Sequence, residues 1–272
     1  MRQVELHHGA ATDVGLVREV NEDAVLAAPP VFVVADGMGG HEGGDVASAI
    51  VVEEFAAMAE RGYDPARATE AVARTLEACR DRIEAYAEQQ RAAGVGPFHA
   101  GTTAVVALVA EHEGQPAWLL ANMGDSRAYR LAGGRLHQVS VDHSVVQELV
   151  ETGVITADAA AVHPERHVIT RALGGTERSE ADYFLLPLGS VERLVLCSDG
   201  ISGMIDDEEM RGILDSVPDP RDAADALVAA ALEAGGRDNA TVVVVDVVGS
   251  AESSYDAERQ RLSLQQKLGA LP

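Results

Sequence analysis

The sequence is poor in lysine, in aromatic rings and in cysteine. Lys267 is the only lysine of 272 residues; Lys and Arg together number 21 against 44 Asp and Glu, a formal net charge of −23. So little cationic character excludes nucleic acid as a partner, because affinity for it begins with basic side chains neutralising phosphates. It also means that a phosphorylated ligand is repelled at long range, and bound divalent cations are the obvious local offset. Aromatic residues make up 4% of the chain, so Ala and Val must fill the core. The two cysteines allow no disulfide framework: Cys79 lies in a helical pattern and Cys197 inside an apolar strand pattern. Two buried, reduced thiols fit a reducing cytosol. No apolar run approaches the length of a membrane-spanning helix, and Met1–Ala11 is polar, without the apolar region of a leader. These absences lead us to expect a cytoplasmic protein with no membrane partner.

What is present is a globular composition, 47% hydrophobic, with no linker, enough for one large domain over residues 1–249. Residues 250–272 form a polar C-terminal tail whose end, ERQRLSLQQKLGALP, has a helical pattern. Continuous apolar runs mark strands at 31–37, 193–200 and 240–248. Residues 102–140 read as a meander of strands with short turns, hence antiparallel. Asp64-Pro65 and Asp219-Pro220 start helices with an N-cap followed by proline, and Asp206 with Glu209 resembles a capping box. Helices are expected over 45–60, 65–93, 206–215 and 220–234, with a short one within 143–153. Segregated strand and helix runs point to an α+β fold. The rest of 141–190 is irregular and rich in His, Arg and Gly, a composition that suits a functional segment.

Carboxylates stand at the ends of the apolar strands. Asp36 and Asp199 each follow one and precede glycine, Asp238 precedes the last strand, and Asp125 sits in the turn MGDSR. Alone, each is explained as an ordinary turn residue, since Asp-Gly is a common turn dipeptide. Together, carboxylates held at the ends of rigid strands can converge on Mg²⁺ or Mn²⁺, which prefer oxygen ligands. Near the N-terminus, Arg18 and Glu22 stand four residues apart with Asp23 alongside; alone, that is a solvated charged turn.

Eight segments in order, VREVNED (17–23), VADGMGGHEGG (34–44), GTTAVVA (101–107), NMGDSRAYRL (122–131), DHSVVQELVETG (142–153), HPERHVITRALG (163–174), LCSDGIS (196–202) and GGRDNATVVV (235–244), resemble the metal-dependent protein phosphatases of type 2C in their bacterial form. The resemblance implies a central sandwich of two antiparallel sheets flanked by antiparallel helix pairs. It implies a protein serine/threonine phosphatase that hydrolyses phosphoserine and phosphothreonine with a water activated between two Mn²⁺ or Mg²⁺ ions. Asp36 would bridge the ions, the Gly37 carbonyl would bind one, and Asp199 and Asp238 the other. Glu22 would act on the first, directly or through water, and Asp125 with Asp199 would support a third, weaker ion. Arg18 matches the arginine that grips phosphate; Asn239 and Asp23 would orient ligands. The chain departs from eukaryotic relatives in carrying Met38 where they have a candidate general acid histidine. His41 is the substitute, with lining the cleft as its other explanation. His143, His163 and His167 fall in and beside the segment matching the family's flap, as structural residues. The implied partners are phosphorylated proteins, a Ser/Thr kinase and its substrates, with the phosphatase a monomer.

Two other functions fit the sequence less well. A cysteine-based phosphatase needs an Arg six residues after its Cys, and those positions hold Ala85 and Gly203. A non-catalytic phosphoprotein-binding module of the same fold is expected to have lost its ligand carboxylates, and here all four aspartates are present.

Overall fold

The computed structural model describes residues 5–39, 43–95, 98–174 and 179–248. Over them the chain runs through β1 (Glu5–Asp13), β2 (Asp23–Ala28), β3 (Val31–Met38), α1 (Gly44–Arg61), α2 (Ala68–Ala92), β4 (Gly101–Thr102), β5 (Ala104–His112), β6 (Gln115–Met123), β7 (Arg127–Ala132) and β8 (Arg135–Gln138). It continues with α3 (Val145–Glu151), α4 (Ala157–Ala161), β9 (Asp182–Pro187), β10 (Arg193–Cys197), α5 (Asp199–Ser202), α6 (Asp207–Ser216), α7 (Pro220–Glu233) and β11 (Ala240–Val248). The strands form two antiparallel sheets, one ordered β1-β11-β10-β7-β8 and the other β2-β3-β5-β6-β9, with β4 beside β3.

Alternate residues of each strand face opposite sides of its sheet, and here both sides are covered. In β3, Val31, Val33 and Ala35 pack with α1 and α2 residues such as Phe55, Val72 and Ile83. Phe32 and Val34 point the other way, against Trp118, Leu196 and Val243 between the sheets. In β11, Val242 and Val244 meet Leu227 and Ala231 of α7, and Val243, Val245 and Val247 fill the inter-sheet core. Hence four layers, helices–sheet–sheet–helices, as the sequence resemblance implied. It also explains why these antiparallel strands read as unbroken apolar runs without polar alternation.

Helix starts follow the caps. Asp206 accepts the Glu209 N–H at 2.8 Å and Asp219 the Arg221 N–H at 2.9 Å. Asp64 caps a 3₁₀ turn over Pro65–Arg67, so α2 begins three residues later than expected. The meander expected over 102–140 is divided: β5 and β6 belong to one sheet, β7 and β8 to the other. The three residues Gly124–Ser126 carry the chain across. β1, β2 and β9 were not expected; β9 alternates exposed and half-buried residues, a weak apolar signal. Among the described residues no helix is long and apolar enough to cross a membrane. Residues 250–272, the polar tail, lie outside the described residues.

At the far end of β11 a buried ion pair closes the sandwich. Arg193 Nε and Nη2 donate to Asp246 Oδ1 and Oδ2 at 2.7 and 2.8 Å. Its other N–H groups donate at 2.7–2.8 Å to the carbonyls of Leu214, in the last turn of α6, and of Val217 and Pro218 just after it.

Candidate functional site

Seven of the eight residues singled out from the sequence, Arg18, Glu22, Asp36, Gly37, Asp125, Asp199 and Asp238, line a single cleft of about 650 Å³ at one end of the sandwich. His41, the eighth, lies outside the described residues.

Asp36 sits within β3 and not beyond its end, in register with Asp23 of β2. Its backbone is held from both sides: its N–H donates to Thr103 Oγ1 at 3.0 Å, and its carbonyl accepts from Thr103 N–H and from Thr102 Oγ1, each at 2.9 Å. Gly37 donates to the Glu22 carbonyl at 3.1 Å. A Cβ there would come within 2.2 Å of the Gly44 carbonyl oxygen and 2.5 Å of that of Glu22, so the approach of these three segments requires glycine.

Asp125 occupies the crossing between the sheets. Gly124 before it has φ of +108°, and a Cβ there would sit 2.5 Å from a Thr103 methyl. Asp199 opens α5 directly after β10, a helix start where the sequence suggested a turn. Asp238 Oδ1 accepts from Asn239 N–H at 2.9 Å, and its Oδ2 accepts from Arg18 Nη2 at 2.6 Å. Asn239 fastens the N-terminal loop to the site. Its Nδ2 donates to the Val14 and Val20 carbonyls, both at 2.9 Å, and its Oδ1 accepts from Glu22 N–H at 2.8 Å. Asp23 Oδ2 accepts from Ser198 Oγ at 2.8 Å, whereas its Oδ1 is buried with no hydrogen-bond partner among the described residues.

These carboxylates raise one another's pKa. Burial, then Asp23, Asp199, Asp125 and Asp238, hold Asp36 well above the ordinary carboxylate range. Burial, with Asp199 next, pushes Asp125 up to about 7. Burial does most to bring Asp23 to about 6, with Asp199 and Asp238 adding to it. Carboxylates that are buried, close to like charges and incompletely hydrogen-bonded are poised for cations. The donors are all oxygen, the set that Mg²⁺ and Mn²⁺ prefer. Among the described residues no three His, Cys, Asp or Glu side chains form a cage around a single ion. Mg²⁺ needs no cage: it keeps several waters and takes one or two carboxylates. The residues therefore fit such ions.

Sequence reasoning left several cleft residues without a role. Thr103, with its hydroxyl 2.6 Å from Ser126 Oγ, ties the Asp36 strand to the Asp125 turn; the GTT segment contained it but assigned it nothing. Arg166, His167 and Arg237 also line the cleft. His167 Nδ1 stands 3.6 Å from Asp199 Oδ2, and the nearby carboxylate raises its pKa. Arg166 and His167 belong to the irregular segment, where no periodicity marks which side chains turn inward.

Known proteins resemble this chain in sequence and in fold. A family model described as protein phosphatase 2C matches residues 17–234. The serine/threonine phosphatase stp of Listeria monocytogenes is 36% identical over 249 residues, covering 89% of this chain and 96% of that protein. The serine/threonine protein phosphatase PstP of Mycobacterium tuberculosis is 39% identical over 246 residues, covering 89% of this chain and 45% of that one. Among solved structures, the catalytic domain of PstP in complex with two manganese ions superposes with a TM-score of 0.77 at 35% identity, covering 91% of this chain and all of that one. Stp1 from Staphylococcus aureus gives a TM-score of 0.81 at 32% identity, covering 90% and 96%.

Proposed function

Because the chain belongs to the protein phosphatase 2C family, we propose that it is a metal-dependent protein phosphatase that hydrolyses phosphoserine and phosphothreonine. The observation that carries this reading is the convergence of Asp36, Asp125, Asp199 and Asp238 with Arg18 in one cleft. A non-catalytic binding module has no need of mutually repelling, partly buried carboxylates.

Mn²⁺ or Mg²⁺ ions are the cofactor. Asp36 and the Gly37 carbonyl, Asp199 and Asp238 would hold two of them, with Glu22 on the first and Asp125 with Asp199 on a third. When bound, such ions supply Lewis acidity toward phosphoryl oxygens and a water of lowered pKa. The chain's residues do the rest. Asp36, fixed by Thr102 and Thr103, gives the site a rigid base. Asn239 sets the loop that carries Arg18 and Glu22. Arg18, swung from Asp238 to the substrate, offers a phosphate two parallel hydrogen bonds. His41 is our candidate for giving a proton to the departing seryl or threonyl oxygen. The substrates are phosphorylated proteins. A Ser/Thr kinase as functional opposite, a monomeric state, a cytoplasmic location and an activity contained within residues 1–249 complete the proposal.

The test is phosphate release from a phosphothreonyl peptide. Release should cease with EDTA and return with added Mn²⁺. Release that ignores EDTA, or none with Mn²⁺ present, would overturn the reading.

A further inference from the structure

The mechanism so far has no use for His143, which is buried at 4% exposure. A histidine this enclosed is usually a packed core residue, yet every polar atom of this one is engaged, by Gly124, Asp182 and Thr170. The Gly124 N–H donates to His143 Nδ1 at 3.1 Å, and the His143 N–H donates back to the Gly124 carbonyl at 2.9 Å. Gly124 immediately precedes Asp125, so one residue holds the peptide units on both sides of Gly124, the second of which leads into Asp125.

Since Nδ1 is an acceptor, a neutral imidazole carries its proton on Nε2. That nitrogen is 3.1 Å from Asp182 Oδ2, at the start of β9, and donates to it. Arg171 Nη1 also approaches Nε2, at 3.3 Å, but two donors cannot bond each other. The partner of Arg171 is Asp182 Oδ1, at 3.1 Å. The His143 carbonyl in turn accepts from Thr170 N–H at 2.8 Å. Next to it, Ser144 bridges Ile169 and Val145 N–H donates to the Val168 carbonyl at 2.9 Å. This ladder closes the base of the excursion that contains α3 and α4 and that delivers Arg166 and His167 to the cleft.

We infer that His143 is a positioning residue that locks the Gly124–Asp125 turn to the base of the 144–170 excursion, so that Asp125 and the flap-side residues of the cleft are set in place together. The inference rests on the proposed reading of Asp125 as a metal ligand. Its physical basis is geometric: a displacement of about 1 Å at a reacting centre can cost on the order of 10²-fold in rate, and a glycine at positive φ has no side chain of its own to hold the turn.

Three variants separate this role from packing. His143→Asn puts an amide oxygen near the place of Nδ1, where it can accept the Gly124 N–H, but does not reach Asp182. His143→Ala removes both bonds. Asp182→Ala keeps the Gly124 bond and removes the anchor on β9 together with the Arg171 ion pair. On p-nitrophenyl phosphate with Mn²⁺, His143→Ala should lose roughly 10- to 100-fold in kcat with KM changed by less than about threefold. Calorimetric Mn²⁺ titration should show weaker occupancy of the last site filled. His143→Asn should recover most of both, and Asp182→Ala, which likewise keeps the Gly124 bond and loses the one to β9, should resemble it. The wild-type protein gives a readout that needs no variant: amide exchange at Gly124 and Thr170 should slow together when Mn²⁺ is added. Equal losses in Asn and Ala variants that follow their melting temperatures would reduce His143 to a packing residue. So would independent exchange at Gly124 and Thr170. Wild-type protein with no Mn²⁺-dependent phosphate release would instead remove the functional reading, whatever the variants do.

Discussion

One strand, β11, leads from one treatment of buried charge to the opposite one. At its C-terminal end, Asp246 lies against Arg193, and the five N–H groups of that arginine are met by two carboxylate oxygens and three carbonyls. At its N-terminal end, about 20 Å of strand away, Asp238 and its neighbours face one another across a cleft with too little positive charge among them. The first arrangement is complete within the protein. The second is incomplete: burial and like charge lift Asp36, Asp23 and Asp125 above the ordinary carboxylate range. A charge buried with all its bonds made is structure; a charge buried without them is held ready for something that arrives. The distinction is thermodynamic, and it can be broken from either end.

The largest effect belongs to the incomplete end. Asp36→Asn should lower phosphatase activity by at least about 10²–10³-fold, the scale for removing one preorganised charge from a reacting centre. The fold should survive, and the metal-free protein should become more stable. Groups whose folded pKa is raised hold protons that the unfolded chain, with carboxylate pKa near 4, gives up. Their contribution is therefore fullest below about pH 4 and is lost as pH rises toward 6 and 7, the values to which Asp23 and Asp125 are raised. Melting curves from pH 5 to 8 should show the metal-free wild type losing ground relative to Asp36→Asn, and Mn²⁺ restoring it most at the alkaline end. A variant with wild-type turnover, or a metal-free wild type that gains on it as pH rises, would show that the carboxylates are not in conflict.

The complete end should respond in the opposite way. Arg193→Leu strands Asp246 and three carbonyls, and removing one partner of a buried pair costs about 3–5 kcal/mol. In a domain of this size that corresponds to a fall of roughly 6–20 °C in melting temperature. The turnover of the folded fraction should not change. Adding Asp246→Leu should recover much of the loss, because paired apolar replacements of such ion pairs are often neutral. Thermal melts of the single and double variants make the measurement. A single variant that melts with the wild type would mean that water reaches Asp246.

How much of this was legible in the sequence depended on whether the signal was local. The apolar runs at 31–37 and 240–248, the Asp-Pro helix starts and the Asp206 cap are local, and each element stands within a few residues of its expected place. The division of 102–140 between two sheets is not local. It depends on Gly124 adopting positive φ and on the hydroxyls of Thr103 and Ser126 meeting across the crossing, and nothing in the sequence distance between them says so. The cleft carboxylates were legible as a set because each abuts a strong strand signal. Thr103, Arg166 and His167 were not, since their place is fixed by tertiary contact alone. Asp246 sits inside VVVVDVV, where a lone charge signals a buried partner but cannot name Arg193 as that partner.

The smallest effect is at Arg18, where the two treatments of charge meet. It is bonded to Asp238 at 2.6 Å, yet the arginine is about half exposed. An exposed pair of this kind contributes up to about 1 kcal/mol, so a cation taking Asp238 can displace the guanidinium, which is then free for phosphate. A hydrogen bond to a charged group is worth about 1.5–3 kcal/mol, so Arg18→Ala should lose roughly 10- to 100-fold in kcat/KM. The loss should fall on KM if the grip is equal in ground and transition states. Arg18→Lys should recover part of it, as a compact charge without the bidentate fork. Because the wild-type guanidinium competes for Asp238, Mn²⁺ should bind Arg18→Ala more tightly, by no more than about fivefold for a pair of 1 kcal/mol. Steady-state kinetics and calorimetric Mn²⁺ titration of the metal-free protein read the two effects separately. Tighter Mn²⁺ binding with unchanged kcat/KM would leave Arg18 as a stand-in for the metal that never touches substrate. Weaker Mn²⁺ binding would mean that the arginine shapes Asp238 for the ion, and that the bond at this end of β11 is as structural as the one at the other.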